Sequence, residues 1–276
     1  MEELSAMFLK NECCVVKEEE SQDRIVSKVA VVVATHNRPW MLEGALINIL
    51  SQSFCNLSIL IVDNGNLPET ETIARTYMRL DPRITYIKNV MRKGAAATRN
   101  HGLFSLSREI KHVLFLDDDD RFSEQDSLKS LVESHLADSR RLMTYGIQRD
   151  VNTDGSLYQI WPCRKECLTD MIIDDNKVQF PAHTVLWNAV FARCLGGYSF
   201  QFENDMEDIA FIVRGFANLR SDPDSIAYVD SPIVNWRRGN IEEDTLHSKV
   251  RRNEKSRILV RRRIKRIILH YSGYRS

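Results

Sequence analysis

The chain has 276 residues, 43% hydrophobic and 28% charged, with 38 basic and 38 acidic side chains. These are the proportions of a soluble globular protein with ample material for a buried core, in one large domain or two small ones, and the zero net charge points to no class of partner. No apolar run approaches the ~20 residues of a membrane-crossing helix, and the N-terminal "MEELSAMFLK" carries glutamates where a secretory signal would carry lysines.

The charge balance hides an asymmetry. Residues 249–276 hold eleven Lys/Arg against one acid, Glu254, so this tail carries +10 and the rest of the chain −10. The six cysteines (13, 14, 55, 163, 167 and 194) form no CxxC pair, and Cys163 with Cys167 alone cannot close a zinc site. They read as free thiols in a reducing cytoplasm.

Residues 1–27 read as a lead-in outside the core. "KVAVVVATHNR" then places an apolar β-branched run before polar turn residues, as a strand buried on both faces would. "PWMLEGALINILSQS" spaces Leu42, Ala45, Leu46, Ile49 and Leu50 as one helix face, with Pro39 in the first turn. "LSILIVDNGN" is a second buried strand, "PETETIARTYMRL" a helix and "RITYIKN" a third strand. "RKGAAATRNHGLFSLS" opens on glycine and continues as helix, and "HVLFLDDDD" is a fourth strand.

Strand and helix alternate with a period near 30 residues. That predicts a doubly wound, mainly parallel α/β sheet with helices on both faces, whose ligands bind beyond the carboxyl ends of the strands. The polar strand endings, His36-Asn37-Arg38, Asp63-Asn64 and Asp117 to Asp120, should converge there. Farther on, 141–151 and 155–162 read as a hairpin around Asp154-Gly155. A short strand leads into a helix to Cys194 that stops at Gly196-Gly197, another helix starts near Glu207 after an acidic loop, and "SIAYVDSPIVNWRR" supplies one or two closing strands.

Three constellations carry chemistry. Asp117 and Asp119 alternate along an extended segment, so their side chains leave on one side and Asp118 on the other. A same-side carboxylate pair at a sheet mouth suits Mg²⁺ or Mn²⁺ with substrate phosphates. A lone acidic run is usually a solvated turn or a helix start, but the preceding "VLFL" and the other polar strand ends favour the metal here, and Asp120 reads as a turn or cap residue. Glu207-Asp208, just before "IAFIV", marks the first turn of a half-buried helix, where acids suit the dipole and a carboxylate in a crevice can act as general base. "RKGAAATRNHG" puts Arg92, Lys93 and Arg99 around small residues that let a diphosphate approach. Neither GxxxxGK[ST] nor GxGxxG occurs, so the P-loop and dinucleotide-binding patterns are excluded.

In this order, "VAVVVATHNRPWMLEGALINILSQS", "LIVDNGN", "GAAATRNHGL", "FLDDDD" and "GGYSFQFENDMEDIAFIVR" resemble the family 2 glycosyltransferases of GT-A type, over residues 28–240. The resemblance implies a nucleotide-sugar-binding set of Thr35, His36, Asn37, Arg38, Asp63, Arg99, Asn100, Asp117 and Asp118. Within it Asp63 would hydrogen-bond the base, and Arg99-Asn100 would lie near the donor phosphates. It further implies a Mn²⁺ or Mg²⁺ ion on a D-x-D motif, with Asp119 the direct ligand and Asp117 nearer the ribose or sugar, and Asp208 as catalytic base with Glu207 beside it. His247 could complete the metal shell or be an ordinary surface histidine. Ala34 stands where the family usually has proline, and His36 where it often has an aromatic residue.

The implied activity is inverting transfer of a sugar from a nucleoside diphosphate, a UDP-sugar first, to a carbohydrate or lipid-linked hydroxyl acceptor in surface polysaccharide or glycolipid synthesis. A sugar nucleotidyltransferase is one alternative, though "ATHNRPW" lacks its glycine-rich signature. A non-catalytic nucleotide-sugar-binding assembly subunit is the other, which the intact acidic pairs oppose. Residues 241–276 read as a basic helical extension. Within it Val260, Ile264, Ile267, Ile268 and Tyr271 form one apolar stripe among arginines, suited to an anionic membrane surface or to packing on the protein. The expected location is cytoplasmic, or peripheral on the inner face of the plasma membrane, with no nucleic-acid partner.

Overall fold

A computed structural model of the protein describes residues 28–91, 94–161, 182–200, 207–219 and 222–238. The lead-in 1–27, Arg92, Lys93, His247 and the basic segment 249–276 lie outside the described residues.

Among the described residues nine strands form one sheet. Its parallel half is β1 (Val29–Thr35), β2 (Leu57–Asp63), β3 (Ile84–Lys88) and β4 (His112–Asp117), ordered β3-β2-β1-β4. The chain winds outward from β1 through β2 to β3, then returns to β1's other edge as β4, which opens a crevice where the order reverses. α1 (Pro39–Leu50), α2 (Pro68–Leu80) and α3 (Ala95–Ser105) are the crossovers.

The strand runs are apolar on both faces because both faces are covered. Val29, Val31 and Val33 of β1 bury against α1 and α2, whereas Ala30 and Val32 belong to the opposite core with Ala96 and Leu103 of α3. The helix signals act as expected. Pro39 and Pro68 occupy first-turn positions, and Glu69 and Glu71 at the start of α2 with Arg79 at its end complement the helix dipole.

Beyond β4 the sheet becomes mixed. The remaining strands are β5 (Arg121–Phe122), β6 (Met143–Val151), β7 (Leu157–Trp161), β8 (Leu186–Asn188) and β9 (Ile226–Arg237). β8 pairs antiparallel to β4 and β6, β9 lies parallel to β6, and β5 closes the edge antiparallel to β9. The expected 141–162 hairpin is the β6–β7 pair, turning at Gly155 with φ +83°. "SIAYVDSPIVNWRR" is one long strand.

Two elements have no counterpart in the sequence reading. They are the two-residue β5 and the helix α4 (Ser127–Leu136), which buries Leu128, Leu131 and Val132 on the α1 side. α5 (Ala189–Cys194) and α6 (Glu207–Leu219) cover the other face, where Trp187 stacks on Phe211 at 4.3 Å.

α4 also brings His135 against His112 at the start of β4, their rings edge to face at 4.7 Å. His135 Nδ1 bonds the Thr144 hydroxyl at 2.9 Å, while His112 Nδ1 and His135 Nε2 make no hydrogen bond among the described residues. Burial, helped by Lys111, pushes His112 down to about 4; burial, then His112 and Arg141, pushes His135 down to about 3. Both rings therefore stay neutral in the fold but take protons in the unfolded chain below about pH 6.5. The two histidines' own contribution to stability should be level above about pH 6.5 and fall as pH drops toward 4, by about 1.4 kcal/mol per histidine per pH unit, while the buried carboxyls of Asp118 and Glu207, held at about 7, act in the opposite sense over that range. Urea unfolding of the wild type and of the variant carrying His112→Asn with His135→Gln over a pH series checks this, because the difference between the two should carry the histidine slope between pH 6.5 and 4.5.

Candidate active site

The register sets three polar residues side by side. Thr35 pairs with Asp63 on one side of β1, and Ala34 with Asp117 on the other, so the ends of β1, β2 and β4 finish level. After Thr35 the chain turns through Asn37 at φ 55°, a left-handed conformation that asparagine tolerates. Asn37 Oδ1 accepts from the backbone N–H of Asn66 (2.8 Å) and Leu67 (3.0 Å), which staples this loop to the one entering α2. Gly65 permits the approach, because a Cβ there would collide with the Asn37 side chain. His36 Nδ1 bonds the Asn64 carbonyl at 2.9 Å.

Asp63 is fully buried. Its Oδ1 accepts from Gly65 N at 2.7 Å and its Oδ2 from the Tyr86 hydroxyl at 2.8 Å. The carboxylate thus shapes the loop after β2 from beneath. Beside it, Asn89 links Asn64, Thr98 and His101, a network that the sequence reading did not pick out.

The four aspartates do not continue the strand. β4 ends at Asp117, and Asp120 N donates back to Asp117 O at 3.1 Å, closing a β-turn. Such a turn brings residues i and i+3 together. The side-by-side pair is therefore Asp117 with Asp120, and the alternation that pairs Asp117 with Asp119 fails where the strand does. Asp118, expected to face away, turns toward the β1 loop, accepts from Thr35 Oγ1 at 2.6 Å and forms an ion pair with Arg38. Arg38 also holds Asp119 at 2.7 Å. Arg121 clamps the turn from behind, donating to the carbonyls of Asp118 (2.9 Å), Asp120 (2.6 Å) and Met41 (3.2 Å).

Asp117 takes both its hydrogen bonds from Arg99 Nη2, at 2.7 and 2.9 Å, and Arg99 Nη1 donates to Glu207 Oε1 at 2.7 Å. The guanidinium lies over the Tyr198 ring, 5.4 Å from its centre. One buried arginine thus ties the end of β4 to the first turn of α6. Asn100, the next residue, spends its amide on the Tyr198 backbone, donating to the carbonyl at 2.8 Å and accepting from the N–H at 2.7 Å. It anchors the Gly196-Gly197 turn, where Gly197 has φ +67° and no room for a Cβ beside Asn100. Asp208 is half-buried and accepts from Ile209 N at 2.7 Å.

His183 completes the cluster. It lies in the short helical turn Ala182–Thr184, its Nδ1 3.4 Å from Asp120 Oδ2 and its Nε2 3.9 Å from Asp117 Oδ2. Asp117, Asp120 and His183 offer three ligand atoms all within 4.8 Å of one another. Sequence reasoning passed over His183, yet a signal exists. β8 runs antiparallel to β4, so residues preceding β8 arrive at the end where β4 stops.

The electrostatics match a cation-ready crevice. Burial would raise Asp117, but Arg99 draws it down to about 2. Asp118 is pushed up to about 7, by burial first and then Asp119 against the pull of Arg38. Asp120 stands well above the usual carboxylate range through burial, Asp119 and Asp117. Burial lifts Glu207 to about 7 in spite of Arg99. Carboxylates crowded this way, one with an unbonded buried oxygen, suit a hard divalent ion.

The family model for "Glycosyl transferase family 2" matches residues 30–189, more than half of the chain. The chain belongs to this family. Among curated relatives of this family 2 chain, the GalNAc(5)-diNAcBac-PP-undecaprenol beta-1,3-glucosyltransferase of Campylobacter jejuni is 36% identical over 94 residues, which span 34% of this chain and 30% of that protein. Among solved structures, S. aureus TarS 1–349 in complex with UDP-GlcNAc superposes with TM-score 0.61 at 16% identity, covering 88% of this chain and 72% of that one. Mannosyltransferase PcManGT from Pyrobaculum calidifontis, in complex with GDP-Man and Mn²⁺, gives TM-score 0.58 at 17% identity, covering 89% and 69%. These likenesses show that the family 2 chain has the GT-A fold.

Removing Arg99 strands two carboxylates in a nearly dry site. Arg99→Met should cost about 3 kcal/mol, toward the low end for a broken buried pair because Asp117 keeps some solvent contact. Adding Glu207→Gln should recover part of that loss, and urea denaturation of the single and double variants measures the coupling.

Proposed function

We propose that the chain is a glycosyltransferase that moves a sugar from a nucleoside-diphosphate donor to a hydroxyl acceptor with inversion, assisted by Mn²⁺ or Mg²⁺. The observation that carries this reading is the pair of acidic walls facing each other across Arg99. One is the 117–120 turn at the sheet's switch point, and the other is Glu207-Asp208 at the start of α6. The neighbouring GT-A structures were solved with UDP-GlcNAc, UDP, or GDP-Man and Mn²⁺, which supports a nucleotide-sugar donor and a divalent ion.

In this reading the β1 loop (Thr35 to Arg38) and the Asp63-shaped loop form the nucleotide wall. Asp117 and the 117–120 turn it opens would hold the cation, which when bound would offset charge on the diphosphate leaving group. Asp208 is the base. Glu207, beside it, is committed to Arg99, whereas Asp208 stands half-open at the helix start. The Asp208 carboxylate takes the proton from the acceptor hydroxyl. The freed oxygen forms its bond to the anomeric carbon as the carbon–oxygen bond to the diphosphate breaks and its electrons leave with the diphosphate. No protein nucleophile enters.

The names of relatives that act on an undecaprenol-linked glycan or in minor teichoic acid biosynthesis favour an acceptor in surface-polymer assembly. No described helix is long and apolar enough to cross a membrane. The +10 charge of residues 249–276 would hold the enzyme peripherally on an anionic surface beside such an acceptor.

Asp208→Asn should lower transfer by about 10²-fold or more while leaving donor affinity within about twofold. Nucleoside-diphosphate release with a donor panel and Mn²⁺, paired with donor calorimetry, checks both halves, and near wild-type transfer would remove Asp208 from this role. For the tail, vesicles containing anionic lipid should sediment the full chain and leave a version ending at residue 248 in solution. Equal sedimentation of the two would assign the tail another role.

A further inference from the structure

The acidic turn already meets one positive side chain from the opposite loop, and that contact is uneven. Arg38 ends the loop after β1, and its carbonyl is tied into the first turn of α1 by the N–H groups of Met41 (3.1 Å) and Leu42 (3.0 Å). Its guanidinium spans the two middle aspartates. Nε, at 3.3 Å, and Nη2 meet the two oxygens of Asp118, while Nη1 donates to Asp119 Oδ2 at 2.7 Å. Asp118 is fully buried and also accepts from Thr35 Oγ1. The Asp119 side chain is 21% exposed, and among the described residues its carboxylate takes a hydrogen bond from Arg38 alone. The Asp118 edge of the fork is therefore an anchor. The Asp119 contact can open without stranding a buried charge.

Arg38 thus neutralises the same turn that the divalent ion of the proposed reaction needs. A guanidinium and a dication that share one carboxylate repel each other, so a free ion binds against Arg38. An ion that arrives with a diphosphate does not, because the phosphate oxygens supply negative charge to both cations. Once Asp119 is released, the N–H groups of Nη1 are open to such an oxygen while Nε and Nη2 stay on Asp118. The planar five-donor fork of arginine suits this division, one edge on a carboxylate and the rest on a phosphate.

We propose that Arg38 makes the crevice take the cation and the diphosphate together: it holds Asp119 against a free ion, and turns Nη1 to a donor phosphate when Asp119 is released. The inference rests on the reading of the crevice as a cation-dependent nucleotide-sugar site. It gives Arg38 opposite effects on the two partners, hindering the free ion and helping the diphosphate. An arginine that only braced the loop would help both. Because binding linkage is reciprocal, each partner raises the other's affinity by one common factor, and Arg38 enlarges that factor.

The full chain is titrated with Mn²⁺ alone, the free ion being followed by electron paramagnetic resonance. UDP and GDP are then titrated by calorimetry in saturating Mn²⁺. Arg38→Gln should bind Mn²⁺ alone about fivefold more tightly than the wild type. The same variant should bind the diphosphate about tenfold more weakly. Arg38→Lys keeps the charge without the fork, so its Mn²⁺ affinity should stay within about twofold while its diphosphate affinity falls. If thermal melting shows the glutamine variant to be unfolded, Arg38→Gln with Asp118→Asn replaces it, leaves no buried carboxyl unpaired at 118, and should show the same opposite changes. Mn²⁺ affinity that is unchanged or lower without Arg38 overturns the proposal, as does unchanged diphosphate affinity. Either result in a chain that still releases nucleoside diphosphate from a sugar donor leaves the transferase reading standing. Failure of both diphosphates to bind the wild type would sink the two together. Opposite changes in a chain that transfers no sugar would support the role of Arg38 and sink the transferase reading instead.

Discussion

The crevice depends on one buried guanidinium. Arg99 leaves the sheet-facing side of α3, where Ala96, Asn100 and Leu103 also bury. From there it reaches Asp117 at the end of β4 and Glu207 at the start of α6. Taking a charged arginine out of water is expensive, and only good geometry with both carboxylates and the Tyr198 face beneath it offsets that cost. The arrangement fixes distance as well as energy. Asp117 of the 117–120 turn and Glu207 of α6 stay a guanidinium's width apart, with the half-buried Asp208 next to Glu207.

Much of this was legible in the sequence because it follows from local rules. β1, β2 and β4 are unbroken apolar runs because both their faces are covered, and the polar residues that end them mark the strand termini. Parallel neighbours in register then place Thr35, Asp63 and Asp117 level with one another. The order of strands and helices suffices to predict that these residues meet.

The unread remainder depends on departures from those local rules. Side-chain alternation holds only while the backbone is extended, so the turn after Asp117 exchanges Asp119 for Asp120 as its close partner. β5 is too short to show a period, and α4, "SLKSLVESHL", has a modest apolar face made of Leu128, Leu131 and Val132. Asp63 and Asn100, which the family resemblance assigns to the nucleotide sugar, spend polar atoms on the backbone of neighbouring loops and on Tyr86. Their contribution is the shape of the site. A residue's place in a motif carries no information about which of its atoms remain available.

His183 shows why the second half of the chain resists such reading. In a parallel sheet, functional residues follow the strands, and scanning the residue after each apolar run finds them. β8 enters antiparallel, so the residue at the crevice precedes its strand instead. The mixed half of the sheet therefore supplies the crevice from the amino ends of its elements, His183 before β8 and Glu207 at the start of α6. The parallel half supplies it from the carboxyl ends. The two sets come within ion-pair distance because β4 belongs to both halves. It pairs with β1 along one edge and with β8 along the other, and its last residue, Asp117, lies against Arg99 from one side and His183 from the other.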